Sequence, residues 1–198
     1  MTLQGKVAVV TGSGLIPGSQ IAIALAKSGA KVAVEGTEAI LRNVEAFGGD
    51  ALPIRGNFTD KNDVRFILSN VEAILGRVDI LVNSLSMDDI TKTNVKSILV
   101  FTETIMAQMK ARGAGLIVFI ATTNHAETLA QSPTLFNSHQ AIVKFSETLS
   151  NSLSGTGVIT SLISLQQFLG YKDNPDCLDT NTLVEEVINI AKRWEPYL

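Results

Sequence analysis

Short β-branched runs recur along the chain, separated by helix-length stretches of mixed polarity. The runs are KVAVVT (6–11), KVAVE (31–35), ALPI (51–54), VDILVN (78–83), GLIVFIA (115–121) and VITSLIS (158–164). Helical stretches fill 18–29, 37–48, 60–76, 90–112 and 134–154, and LVEEVINIAKRW near the end predicts one more. Near-continuously apolar strands alternating with helices imply a parallel sheet buried on both faces. Right-handed crossovers then give an α/β, doubly wound, three-layer Rossmann-like fold with about six strands. No repeat or low-complexity linker interrupts the pattern, so residues 1–198 read as a single domain.

Two helices carry more detail. From 135, Leu135, Ile142, Phe145, Leu149 and Leu153 recur at helical spacing and predict one buried stripe. Phe136 and Gln140 are four apart and share another face. Over 90–112 the apolar surface is broader. Val95, Ile98, Leu99, Thr102, Ile105, Met106 and Met109 form one band, with Val100, Phe101, Thr104 and Ala107 beside it. Two readings stand: one wide core contact, or one band on the sheet and the other on a second subunit.

Composition narrows the field. With 45% hydrophobic and 18% charged residues the chain is globular rather than disordered. A net charge of −3 argues against a nucleic-acid surface. Cys177 is the single cysteine, which fits a reducing compartment. The start lacks the basic, apolar and small-residue pattern of a secretory leader, and no run of 18 apolar residues predicts a membrane span. A cytoplasmic location is expected. C-x-x-C, H-E-x-x-H and G-x-S-x-G motifs are absent, and the Asn57-Phe58-Thr59 triplet has no meaning as a glycosylation acceptor in such a compartment.

The stretch VVTGSGLIPGSQIAIALAKSGAKVAVE reads as strand, glycine-rich turn, small-residue helix and strand. Such a turn lets backbone N–H groups and a helix N-terminus approach a pyrophosphate. In this respect, and over most of its length, the chain resembles the short-chain dehydrogenase/reductase family. That family usually writes T-G-x-x-x-G-x-G. Thr11, Gly12 and Gly18 match, while Ile16 stands at the middle glycine, followed by Pro17. Gly12, Gly14 and Gly18 offer a second dinucleotide-type spacing. The alternative is that the glycines only shape a tight turn. Glu35 ends the second strand, where an acidic group would grip ribose hydroxyls and favour NAD over NADP, or else be a solvated strand end.

The resemblance implies further positions. Asn57 stands where the family has an adenine-side Asp. Asn83, Ser84, Leu85 and Ser86 replace N-N-A-G, and SLQQF (164–168) replaces the Pro-Gly turn after the sixth strand. The stretch from Asn83 to Asn94 is shorter than usual. The family's Asn, Ser, Tyr and Lys of catalysis fall on Asn94, Thr122, Phe136 and Gln140. Phenylalanine has no titratable proton and glutamine no charge, so the general acid and its electrostatic support are both absent; such catalysis is typically worth about 10²–10⁴-fold. His139 and His125 are the candidates for a substitute.

These departures together imply a catalytically inactive subunit, with no catalytic residues and no cofactor of its own expected. Its vestigial positions would be Gly12, Ile16, Gly18, Glu35, Asn57 and Asn83, with NAD the expected ligand if the pocket is filled and in the partner. The expected partner is a homologous, complete dehydrogenase docked through helices near 90–112 and 134–154. Two-subunit hydroxyacyl-CoA dehydrogenases of anaerobic aromatic breakdown resemble this arrangement, since one subunit there is similarly degenerate. The family's seventh strand is expected to be missing, which would bare one sheet edge. The alternatives are an atypical reductase using Thr122 with His139 or water, and a dinucleotide- or metabolite-sensing module.

Overall fold

The computed structural model describes residues 2–14, 16–36, 38–47, 49–86, 92–122, 132–164 and 180–194. Among these residues six strands form one sheet: β1 (Val7–Thr11), β2 (Lys31–Val34), β3 (Ala51–Pro53), β4 (Ile80–Ser86), β5 (Gly115–Thr122) and β6 (Val158–Ser164). Their order is β3-β2-β1-β4-β5-β6, and every pairing is parallel. Among the described residues, six helices connect and follow them: α1 (Gly18–Lys27), α2 (Glu38–Ala46), α3 (Lys61–Ile74), α4 (Lys92–Arg112), α5 (Pro133–Leu153) and α6 (Thr180–Arg193). Among the described residues, no helix is long and apolar enough to cross a membrane.

The period-two alternation of the strands builds two cores on one sheet. Val7, Val9, Leu81, Ile117 and Phe119 face α3, α4 and α5. Ala8, Val10, Ile80, Val82, Leu116 and Val118 face α1, α2 and α6. This is the three-layer arrangement that the apolar runs require, since strands buried on both faces have no polar side to show. The fourth strand runs three residues beyond its apolar run, through Ser84, Leu85 and Ser86, because β5 offers paired backbone along its whole length.

On α4 the buried line is Ile98, Phe101, Thr102, Ile105 and Met109, with Thr104 also covered. Phe101 therefore belongs to the core and not to a second, outward band; its ring meets Phe58 at 5.6 Å. Leu99 and Met106, assigned from spacing to the same band as Ile98, are only partly covered. On α5, Ile142, Leu149 and Leu153 are buried as expected, and Phe145 packs edge-on to Phe119 at 5.8 Å. The stripe continues towards the N-terminus through His139 and Ser138, and the side chain of Leu135 lies outside the described residues.

Candidate functional site

The chain runs outward from β1 to β3 and then returns to start β4 beside β1. The carboxyl ends of β1 and β4 therefore border the point where strand order reverses, which is where open α/β sheets leave a crevice. The glycine turn, Glu35, Asn57, the end of β4 and the start of α5 all follow strand carboxyl ends.

Gly12 has φ 65°, a left-handed conformation that favours glycine, and a Cβ there would collide with the Ser84 carbonyl. A Cβ on Gly18 would strike the Gly12 carbonyl. Both glycines are thus required by the packing of the turn itself. Gly14 is different: it is exposed, and a Cβ there would meet nothing within 4 Å. The Gly12 N–H donates to Glu35 Oε2 at 2.9 Å, and Ser13 Oγ donates to the Glu35 carbonyl at 2.6 Å. Glu35 is therefore not merely a solvated strand end. It latches the turn and places negative charge on it.

Asn83 is wholly buried and committed at both ends. Thr11, its register partner on β1, donates to Asn83 Oδ1 at 3.1 Å, and Asn83 Nδ2 donates to Thr102 Oγ1 on α4 at 3.0 Å. It bridges two strands and a helix from a wholly buried position. Asn57 Oδ1 accepts from the Thr59 N–H at 3.0 Å and the Thr59 hydroxyl at 2.7 Å, making an Asx turn ahead of α3. Asp60 caps that helix by accepting from Asn62 and Asp63.

At the start of α5, Phe136 is 49% exposed and Gln140 partly exposed on the same face. The ring is therefore not packed away into closed apolar surface. His139 turns inwards instead, at 4% exposure. Its imidazole hydrogen-bonds the Ala121 carbonyl at the end of β5, and Nε2 is buried without a partner. Burial lowers its pKa, with the Ala121 bond opposing that, so the ring is held neutral. A neutral imidazole whose N–H is given to the backbone is poorly placed to protonate a substrate. The side chains of Asn94, Thr122, Leu85 and Ser86, and all of His125, Cys177 and 165–168, lie outside the described residues.

A nicotinamide dinucleotide tests this arrangement in two halves. The N-cap of α1 is Pro17, with no side-chain cap and no acidic residue in the first turn, so the helix end keeps N–H groups for an anion. Gly14 is exposed and open beside that helix end, whereas Glu35 already holds the Gly12 N–H and brings a carboxylate to the turn, and Ile16 stands 56% exposed there. At the two positions on α5 that the resemblance gives to the family's Tyr and Lys, Phe136 has no proton to transfer and Gln140 no positive charge.

The buried residues Asn83, His139 and Ser138 were missed as structural groups. His139 could have been found from spacing, because 139, 142, 146, 149 and 153 form an unbroken three-four helical series.

The family profile described as short chain dehydrogenase matches residues 6–168. A short chain dehydrogenase of Pseudocercospora fijiensis is 29% identical, covering 87% of this chain and 63% of that protein's length. The 3-oxoacyl-(acyl-carrier-protein) reductase of Salmonella typhimurium is 26% identical, over 83% of this chain and 74% of its own. The crystal structure of a metagenomic short-chain oxidoreductase in complex with NADP superposes with TM-score 0.76 at 20% identity, covering 98% of this chain and 93% of that one, a likeness of fold. On the match that spans β1 to the end of β6, the chain belongs to the short-chain dehydrogenase family.

Proposed function

We propose that this chain is a non-catalytic subunit of a cytoplasmic, NAD-dependent short-chain dehydrogenase complex. It pairs through α4 and α5 with a homologous subunit that carries the hydride chemistry. The two-subunit hydroxyacyl-CoA dehydrogenases provide the pattern for such a pairing. One observation carries the reading: the exposed turn of α5 presents Phe136 and Gln140, and the neighbouring titratable group, His139, is turned into the core. A half-exposed phenylalanine forgoes about 1 kcal/mol of burial, which a covering partner recovers. The uncapped N-terminus of α1 supports retained nucleotide binding as the second reading, a sensing module that binds without turning over.

The test uses the purified 198-residue chain with NADH and NADPH and a panel of 3-oxoacyl thioesters and sugar ketones. No oxidation of either coenzyme above the blank is expected, and any binding should favour NADH because Glu35 repels a 2′-phosphate. Co-expression with a complete family member should yield a complex that turns over. Steady turnover by the chain alone, lost on His139→Asn, would overturn the reading in favour of an atypical reductase.

A further inference from the structure

Helix α3 is amphipathic, yet its outer face is not polar throughout. Val64, Ile67, Leu68 and Val71 are buried and supply its contact with the core. Phe66 is nevertheless 68% exposed and Ile74 62% exposed, more than any other large apolar side chain among the described residues. Phe66, Asn70 and Ile74 follow one another at four-residue spacing and so form one row along the helix. Ser69 and Ala73 lie beside the row and are also exposed. The Ser69 hydroxyl donates to the Arg65 carbonyl at 2.9 Å, so it is satisfied within the helix. None of these five side chains carries a charge. Charge begins at the ends of the row, where Asp63 stands in the first turn and Arg77 just past the last. Both are exposed, and neither makes an ion pair among the described residues.

We propose that two copies of this chain pair through α3, antiparallel, about a two-fold axis at Asn70. The occupant is a second copy because the surface is its own complement about that residue. Phe66 and Ile74 lie four residues either side of Asn70, so the axis sets each phenylalanine against the other copy's isoleucine. Asp63 and Arg77 lie seven residues either side, so opposite charges meet at both ends of the joint. A parallel pairing would instead set like charges together. Asn70 falls on the axis itself. An amide both donates and accepts, so two of them bond each other there, which two carboxylates or two ammonium groups could not do. Rows at this spacing are the ridges that interlock when helices pack, and the small Ser69 and Ala73 let the second helix approach. A two-fold contact uses the same patch twice and closes at two copies. One pair of 14-residue helices covers less than the ~800 Å² per partner of a stable complex, so the dimer forms and dissociates with concentration. The joint uses neither α4 nor α5 and does not rest on the pairing proposed above.

Asn70→Cys tests the register directly, because a residue on a two-fold axis meets its own copy. In the full chain with Cys177→Ser, oxidation is expected to link Asn70→Cys chains into dimers. Asn62→Cys, about two turns away on the same row, should stay unlinked. Sedimentation velocity over a concentration series tests the contact itself. At the top of the series the average mass of Phe66→Lys is expected to be about half that of wild type, whereas Phe47→Gln keeps the wild-type mass. Phe47 is 53% exposed just beyond α2, whose buried residues belong to the core on the other face of the sheet. Arg77→Asp should weaken the dimer by setting like charges together, and Asp63→Arg added to it should restore it. Equal masses for wild type and Phe66→Lys at every concentration would overturn the proposal. So would Asn70→Cys chains that link no faster than Asn62→Cys chains, which would mean collision without register. A mass lost by Phe66→Lys only when a complete family member is present would overturn it too, and assign the face to that partner.

Discussion

At His139 the balance between solvation and bonding sets a pH dependence. The imidazole is buried, its bare nitrogen has no partner, and burial lowers its pKa despite the bond to Ala121. In the unfolded chain the same group titrates near its ordinary value of about 6.5. Below that value the unfolded state binds a proton that the folded state resists, so stability falls with falling pH. The contribution is fully present above about pH 6.5 and is lost as pH drops towards and through the lowered folded value. Asparagine keeps a donor near the Ala121 carbonyl but does not titrate. The unfolding free energy of His139→Asn relative to wild type should therefore improve steadily from about pH 7.5 to about pH 5.5, by urea melts. A constant difference across that range would mean the ring is not held neutral. The same residue shows what was legible. A helix-face argument reads Phe136 and Gln140 correctly as sharing a face, because both are set by the helical period alone. It treats histidine as polar and so leaves it off the stripe that its spacing places it on. Glu35 is a similar case, since no spacing rule reveals that its carboxylate reaches the Gly12 amide.

Among the elements, α4 shows how a helix is fixed at its far end. Arg112, in its last turn, donates from Nε to the Ala114 carbonyl at 2.8 Å and from Nη2 to the Val78 carbonyl. Its guanidinium lies 3.9 Å from Asp79, whose other oxygen accepts from the Val7 N–H at 3.0 Å. One side chain thus ties α4 to the amino ends of β1, β4 and β5, opposite the crevice. Burial opposes the charge and Asp79 favours it. Arg112→Ala leaves two carbonyls and a part-buried carboxylate short of a donor, and should cost about 2 kcal/mol. Arg112→Lys should recover little of that, because an ammonium cannot match a fork that reaches Ala114 and Val78 together. A shifted urea midpoint with unchanged slope in both variants is the expected record; a midpoint restored by lysine would show that charge alone matters. The strands and helices themselves were readable, since apolar period and turn residues fix them locally. The outward and inward faces of α4 were not, because Phe101 is buried by Phe58, a residue from the loop before α3. That contact is tertiary and leaves no mark in the helix's own pattern.

For the molecule as a whole, the question is whether two cores behave as one. Strands β1, β4 and β5 feed both faces of the sheet, so neither core can dissolve without stripping side chains that anchor the other. The last helix, α6, packs on α1, and Trp194 just beyond it is 6% exposed in the α1-side core. Lys6, immediately ahead of β1, lies 5.0 Å over its ring. The indole therefore senses both the docking of α6 and the entry into the central strand. It is the single tryptophan in the chain, so its fluorescence has one origin. Far-UV circular dichroism, by contrast, reports all the helices at once. If residues 1–198 are one cooperative unit, the two signals follow one transition, with a common midpoint and slope in urea. Phe119→Ala is the sharper form of the test, because it empties a site on the opposite face of the sheet, where Phe119 is fully buried. The loss is expected to be about 3–5 kcal/mol. It should move the Trp194 transition by the same amount as the dichroism, although the indole touches the other core. A tryptophan midpoint that stays in place while the dichroism shifts would divide the chain into two units at the sheet.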